Sequence, residues 1–265
     1  MTNSYDIYQV DAFTTEVFRG NPAAVVPLQQ WLSDEAMLNI AMENNLAETA
    51  FFIPVSDEEF DFEIRWFTPA VEVELCGHAT LASCYVIWNK LGFASDEVRL
   101  KTRMAGPLYV KRDGEKIELN FPTRPVSEVP LPDGFEEKLG VKPVSYNRAL
   151  KNLALLEDEQ AVINFQPDMD YIAGLEGDGL IVTAKGIQSD CASRYFAPAH
   201  GIPEDPVTGS AHCSIIPFWA DKLGKNELHA RQVSARSGDL YCVLEDDRVR
   251  MSGYGKLFLE GKIFI

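Results

Sequence analysis

The sequence predicts an α+β fold of two pseudo-symmetric halves, each a curved, barrel-like, mostly antiparallel sheet around a central helix. Three observations predict it. The stretch C-G-H-A-T-L-A-S-C-Y-V-I-W-N-K-L-G, Cys76 to Gly92, returns as T-G-S-A-H-C-S-I-I-P-F-W-A-D-K-L-G, Thr208 to Gly224, at a step of 132. Each copy is a helix apolar on most sides, which must be buried nearly all round. Around each copy lie short β-like runs separated by turn signals.

The repeat extends beyond the helices. Gly106, Leu108 and Tyr109 return as Gly238, Leu240 and Tyr241 at the same step of 132. Upstream, R-W-F-T-P-A (Arg65 to Ala70) returns as R-Y-F-A-P-A (Arg194 to Ala199) at a step of 129. Each copy therefore reads as strand, Pro-containing loop, small-residue turn and helix. The closing Gly92 and Gly224 read as helix C-cap signals.

The elements follow in order. Tyr5 to Val10 is a short β-like run, and V-F-R-G-N-P is turn chemistry before the strand Ala23 to Leu28. Ser33 and Asp34 open a helix that Asn44 and Asn45 end. Ala47 to Ile53 is a strand stopped by Pro54, and Phe60 to Trp66 alternates apolar and charged residues. Strands follow near Val98 to Arg103, Leu108 to Arg112 and Lys116 to Phe121, with Asp113-Gly114 as a hairpin turn. Phe121 to Pro125 is the linker, which gives domains 1–122 and 123–265. In the second half Gln160 to Asn164 reads as a strand and Pro167 to Leu175 as a short helix. Leu180 to Ala184 and Gln188 to Phe196 read as strands. Strands near Gln232, Leu240 and Val249 follow the second long helix. Lys256 to Ile265 is β-like, and fold resemblance allows it to return to the first half.

Composition narrows the function. A net charge of −16 argues against nucleic-acid and anionic-membrane partners. No apolar run reaches transmembrane length, and M-T-N-S-Y-D lacks a basic signal-peptide start. The 5 Cys are odd in number and irregularly spaced, so a disulfide framework is not expected and a cytoplasmic setting is. The 4 His include no pair at metal-ligand spacing, so no metal is expected. No dinucleotide, P-loop or G-x-S-x-G motif occurs, and no cofactor is expected.

The polar first turns of the repeated helices are where chemistry is expected. A helix start presents unpaired N–H groups and a partial positive charge, which suits an anion. Gly77, His78, Gly209 and Ser210 stand there, preceded by Cys76 and Thr208, and Asp205 lies just upstream. Two such starts could face one cleft.

G-N-P-A-A-V-V, N-L-A-E-T-A-F-F, R-W-F-T-P-A-V-E-V-E-L-C-G-H-A-T and F-A-P-A-H-G-I-P-E-D-P-V-T-G-S-A-H resemble the phenazine-biosynthesis isomerase (PhzF-like) family, in order along nearly the whole chain. The resemblance implies a diaminopimelate-epimerase-like fold with the active site between two similar halves. It implies Glu48 as the catalytic carboxylate, with His78, Asp205 and Ser210 as catalytic partners. Without it, Glu48 reads as an ordinary strand-entry residue. Relatives of this fold imply a homodimer.

The expected activity is a cofactor-independent isomerase that moves a proton on a small carboxylate-bearing metabolite. That asks for an acid/base group whose pKa burial raises toward neutrality, the part given to Glu48. Gly77, Gly209, Thr208 and Cys76 are the expected substrate-binding positions. A step of 129 from Glu48 falls on Gly177, so the acid is not duplicated. Epimerases and racemases of the fold use paired Cys; here Cys76 holds the first position and Thr208 the second. Cys76 could have a lowered pKa at its helix start or be a small buried residue. His200 and His212 could line the cleft, or His212 could be a core residue. A Cys76-dependent racemase and a non-catalytic binding module are the alternatives.

Overall fold

The computed structural model describes residues 3–265. The chain divides into two compact units. One runs to Asn120 and takes back Ser252–Ile265; the other is Phe121–Met251. The linker-based boundary at 122 stands two residues beyond this one.

The first unit contains β1 (Ser4–Ala12), β2 (Asn21–Pro27), α1 (Asp34–Asn44), β3 (Glu48–Pro54), β4 (Phe62–Phe67), β5 (Glu72–Val73), α2 (Gly77–Asn89), β6 (Glu97–Lys101), β7 (Leu108–Asp113) and β8 (Lys116–Pro122). The second contains β9 (Ser127–Glu128), α3 (Phe135–Leu139), β10 (Ser145–Arg148), β11 (Asn152–Leu155), α4 (Glu159–Asn164), α5 (Met169–Ala173), β12 (Leu180–Lys185), β13 (Cys191–Ala197), β14 (Ile202–Asp205), α6 (Gly209–Leu223), β15 (Glu227–Gln232), β16 (Gly238–Glu245) and β17 (Arg248–Gly253). β18 (Gly255–Phe264) then pairs antiparallel with β1 in the first unit.

Both units use one pairing order. In the first, β1 pairs antiparallel with β2, β2 parallel with β3, β3 antiparallel with β4, β4 parallel with β6, and β6 antiparallel with β7. In the second, β10, β11, β12, β13, β15 and β16 repeat that alternation. Parallel neighbours need a crossover, and helices supply every one. α1 and α2 do so in the first unit; α4 with α5, and then α6, do so in the second. The sheet is therefore more mixed than the strand patterns alone suggest.

α2 packs against β1, β2, β3 and β18. Residues from His78 to Trp88 are buried, save Tyr85, as an all-round apolar helix requires. α1 covers a separate core of Val26, Leu28, Met37, Ile40, Phe51 and Phe67. Its start is capped as expected, with Ser33 Oγ accepting from the Ala36 N–H at 3.2 Å. Asn45, in the left-handed region, ends it.

Two readings change. Gln160–Asn164 is helix, not strand, because Asp158 Oδ1 accepts from the Ala161 N–H at 2.8 Å and caps α4. Gly224 caps α6 with φ +64°, whereas α2 is capped by Lys90, and Gly92, at φ +70°, lies two residues on. Inside α6, Pro217 has no N–H to give the Cys213 carbonyl. The Arg124 N–H fills that gap at 2.8 Å, and Ser214 Oγ donates back to the Arg124 carbonyl at 2.7 Å. The proline in the helix and the linker strand thus satisfy one another.

Candidate active site

In the first unit, a tight turn brings the chain to the site. Gly20 has φ +65°, and a Cβ there would lie 2.1 Å from the Ala12 carbonyl oxygen. Only glycine fits. The turn sets Asn21, fully buried, at the start of β2. Parallel pairing of Ala23 with Glu48 then brings the starts of β2 and β3 side by side. The R-W-F strand and β5 lead into α2, with Cys76 as its N-cap.

These elements converge on His78. Its Nε2 is 3.1 Å from Glu48 Oε2, and its Nδ1 is 3.3 Å from Asn21 Nδ2 and 3.5 Å from Cys76 Sγ. The side chains of His78 and Glu48 are 7% and 12% exposed, so their charges meet with little water between them. The approach is an ion-pair contact rather than an aligned hydrogen bond. Glu48 Oε2 is buried, and the His78 N–H beside it is not aligned for a full hydrogen bond.

The protonation states follow from this packing. Burial pushes the Glu48 carboxyl up, but the His78 charge, its nearby N–H and the Cys76 thiol outweigh that and hold it below the usual value. The expected upward shift toward neutrality is therefore not what this site produces. A cation within contact distance wins over burial. Burial opposes the charge on His78, yet Cys76 and Glu48 raise its pKa well above that of a free imidazole. Burial first, then the Glu48 charge, push the Cys76 thiol up to about 11. A lowered Cys76 pKa is thus also corrected, because the thiol is buried beside a carboxylate. The resting site is carboxylate, imidazolium and thiol.

Sulfur, nitrogen and oxygen of Cys76, His78 and Glu48 lie within 4.8 Å of one another, a mixed set that could hold a thiophilic divalent cation. Sequence spacing does not reveal it, because Glu48 comes from another strand.

The second unit builds a different turn. Thr208 is the N-cap of α6, but its hydroxyl donates to Asp205 Oδ2 at 2.6 Å. Gln232 of β15 ties the turn together. Its Oε1 accepts from the Thr208 N–H at 2.9 Å, and its Nε2 donates to the Asp205 carbonyl at 2.6 Å. Gly209 is buried and Ser210 exposed on the first turn of α6. Lys151 lies over the Tyr195 ring at 5.3 Å. Burial lowers its pKa against the charges of Asp178, Cys213 and Asp205.

His212 is fully buried, its Nδ1 is 2.8 Å from the Thr208 carbonyl, and burial lowers its pKa to about 4. It stays neutral as a core residue. Thr80 does the same job in α2, its hydroxyl donating to the Cys76 carbonyl. His200 is exposed, 3.5 Å from Asp178.

The structure thus gathers Glu48, Cys76 and His78 in one unit, and Asp205, Thr208, Gly209 and Ser210 in the other. Two participants were not singled out from the sequence. Asn21 had a usable signal in the G-N-P turn; Gln232 had none.

The sequence matches the phenazine biosynthesis-like protein family over residues 10–261. A Pseudomonas aeruginosa protein named as an uncharacterized isomerase is 47% identical over 259 residues, covering 97% of this chain and 98% of the relative. The crystal structure of a PhzF-family phenazine biosynthesis protein from Enterococcus faecalis superposes with a TM-score of 0.95 at 41% identity, covering 99% and 100% of the two chains. A hydroxyproline epimerase from Agrobacterium vitis shares the fold alone, with a TM-score of 0.61 at 7% identity, covering 99% and 93%. No helix among the described residues is long and apolar enough to cross a membrane. With the family matched along almost its whole length, the chain belongs to the phenazine biosynthesis-like, or PhzF, family and is an isomerase of that family.

Proposed function

We propose that this isomerase moves a proton between carbons of a small carboxylate-bearing metabolite, with Glu48 as the acid/base. One observation carries the reading: a buried carboxylate oxygen 3.1 Å from His78 Nε2, whose charge favours the ionised form of Glu48. A base must be unprotonated before the substrate arrives, and the imidazolium ensures that. Once Glu48 has taken the proton, the adjacent positive charge makes it a stronger acid and favours the proton's return.

Charge that develops on the substrate needs donors. The first-turn N–H groups at Gly77, His78, Gly209 and Ser210 suit a carboxylate and its developing enolate-like oxygen. Asp205 and Ser210 would orient a substrate amine or hydroxyl. A racemase that uses Cys76 asks for a thiolate, which burial and the Glu48 charge both oppose.

The test is turnover of a candidate carboxylate in deuterated water by wild type, Glu48→Gln and Cys76→Ser. The proposal expects Glu48→Gln to be crippled and Cys76→Ser to work. The opposite pattern, with the solvent proton placed on the carbon that lost one, would establish the racemase instead.

A further inference from the structure

The G-N-P-A-A-V-V motif takes no part in the chemistry above, yet its asparagine touches the ring that does. Asn21 is fully buried, and its Nδ2 lies 3.3 Å from His78 Nδ1. Glu48 is 3.1 Å from the other ring nitrogen. The imidazole is therefore held at both ends, by strands β2 and β3. A rival partner stands close by: Cys76 Sγ is 3.5 Å from Nδ1 and 4.0 Å from Nε2.

The chemistry of an amide suits this position. A neutral ring that carries its proton on Nε2 has an acceptor at Nδ1, and an amide N–H can fill it. An imidazolium carries a proton on Nδ1, and the amide oxygen can accept it. A half-turn of the amide exchanges one for the other with no change of shape. A carboxylate offers only acceptors and an alkyl group offers neither.

We propose that Asn21 is a positioning residue, which holds the His78 ring by Nδ1 so that Nε2 stays turned toward Glu48 in both protonation states. This rests on the roles proposed for Glu48 and His78 and deepens them. Without Asn21, the neutral ring has no fixed tautomer, and its Nδ1 turns to the Cys76 thiol. Glu48 on β3 and Cys76 at the start of α2 are the ionisable groups that act on the ring. From β1, the Asp11 carboxylate is engaged by the Phe18 N–H at 3.0 Å.

The experiment is nitrogen NMR of the full-length protein labelled in its 4 histidines, with His78→Gln used to assign the His78 signals. In wild type above the His78 transition, Nε2 should be protonated and Nδ1 bare. Asn21→Leu should give a mixture of tautomers. Asn21→Asp, nearly the same shape, should keep the ring doubly protonated to a pH higher by about one unit or more, as an added adjacent carboxylate does. Unmoved signals from His200, His212 and His229 report that the fold is intact. A folded Asn21→Leu with the wild-type tautomer, or an Asn21→Asp with the wild-type transition, overturns the proposal. If Asn21→Leu does not fold, the Asn21→Asp transition alone decides. The spectra need no substrate, so they stand apart from the isomerase reading, whose own failure would show as turnover kept in Glu48→Gln.

Discussion

Arg65 and Arg194, 129 residues apart, do the same thing. Arg65 forks onto Glu72 through Nε and Nη2, both at 2.7 Å, and lies over the Phe67 ring at 5.0 Å. Arg194 forks onto Glu204 at 2.7 and 3.0 Å and lies over Phe196 at 4.9 Å. Each arginine stacks on the phenylalanine two residues along, on the same face of its strand. Each glutamate sits on the short strand that feeds a central helix. Four residues beyond the glutamate, at the helix start, the copies part. The first places Cys76, Gly77 and His78 at its helix start; the second places Thr208, Gly209 and Ser210.

Strand register sharpens the contrast. Thr49 pairs with Phe67, and Leu180 pairs with Phe196, its counterpart. Glu48 therefore corresponds to Gly179, two residues beyond the Gly177 that simple spacing gives. Gly179 has φ +96°, and a Cβ there would lie 2.2 Å from the Phe196 carbonyl oxygen. One copy has a carboxylate where the other has no room for a side chain. The framework was copied because strands and helices need it. The ionisable groups were not: the first unit has the Glu48–His78 pair, and the second has hydroxyls and an aspartate tethered to Thr208.

The strongest way to break this comparison is Glu48→Gln, which keeps size and removes titration. Turnover should fall by roughly 10²–10⁴-fold, and Ser210→Ala should raise KM more than it lowers kcat. Equal losses of kcat in both variants would mean that both copies carry the chemistry. Next come the arginine clasps. Glu72→Ala leaves Arg65, 1% exposed, with only the exposed Asp34 carboxylate at 2.8 Å, and should cost about 1.5–3 kcal/mol in denaturant unfolding. Glu204→Ala should cost less, because Arg194 is 13% exposed and has carbonyl partners from Val162, Ile163 and Phe165. Gly179→Ala should destabilise by about 2–4 kcal/mol through strain and clash, whereas Glu48→Ala should cost far less stability than activity.

The smallest effect is in pH. Glu48 is depressed, so its contribution is present above the ordinary value of 4.5 and is lost as pH falls through its lower folded value. His78 is raised, so its contribution is complete below 6.5 and is lost as pH rises through its higher folded value. The melting temperature of wild type minus that of Glu48→Gln should be largest between those two values and shrink on either side. A difference that does not vary with pH would show that the pair is not charged.

Much of this architecture is legible in the sequence because repetition is. The helix starts, the repeated R-W-F and R-Y-F runs and the hairpin at Asp113 follow from spacing and residue type. Glu48 is not legible that way. Its neighbour His78 is 30 residues downstream, and the packing of α2 on β3, not sequence, joins them. The sign of its pKa shift needed that neighbour too, since an apolar run alone argues for burial. The contact of Asn21 with His78 is hidden for the same reason, and Gln232 acts from a strand beyond α6. Helix α4 escaped because its six residues are too few for a period, and the Asp158 cap was the sign to read.

The return of β18 sets a timetable for making the protein. β1 leaves the ribosome well before its partner β18, Ser4 lying opposite Phe264. Between them the whole of Phe121–Met251 must be synthesised. At ordinary translation speeds that is a wait on the order of ten seconds. During it, the strand that carries Tyr8 and Val10 has β2 on one side and an open edge on the other, an invitation to other nascent chains. The first unit is begun before the second and closed only after it, so a chain that stops short of β18 should leave aggregates rather than a half-active enzyme.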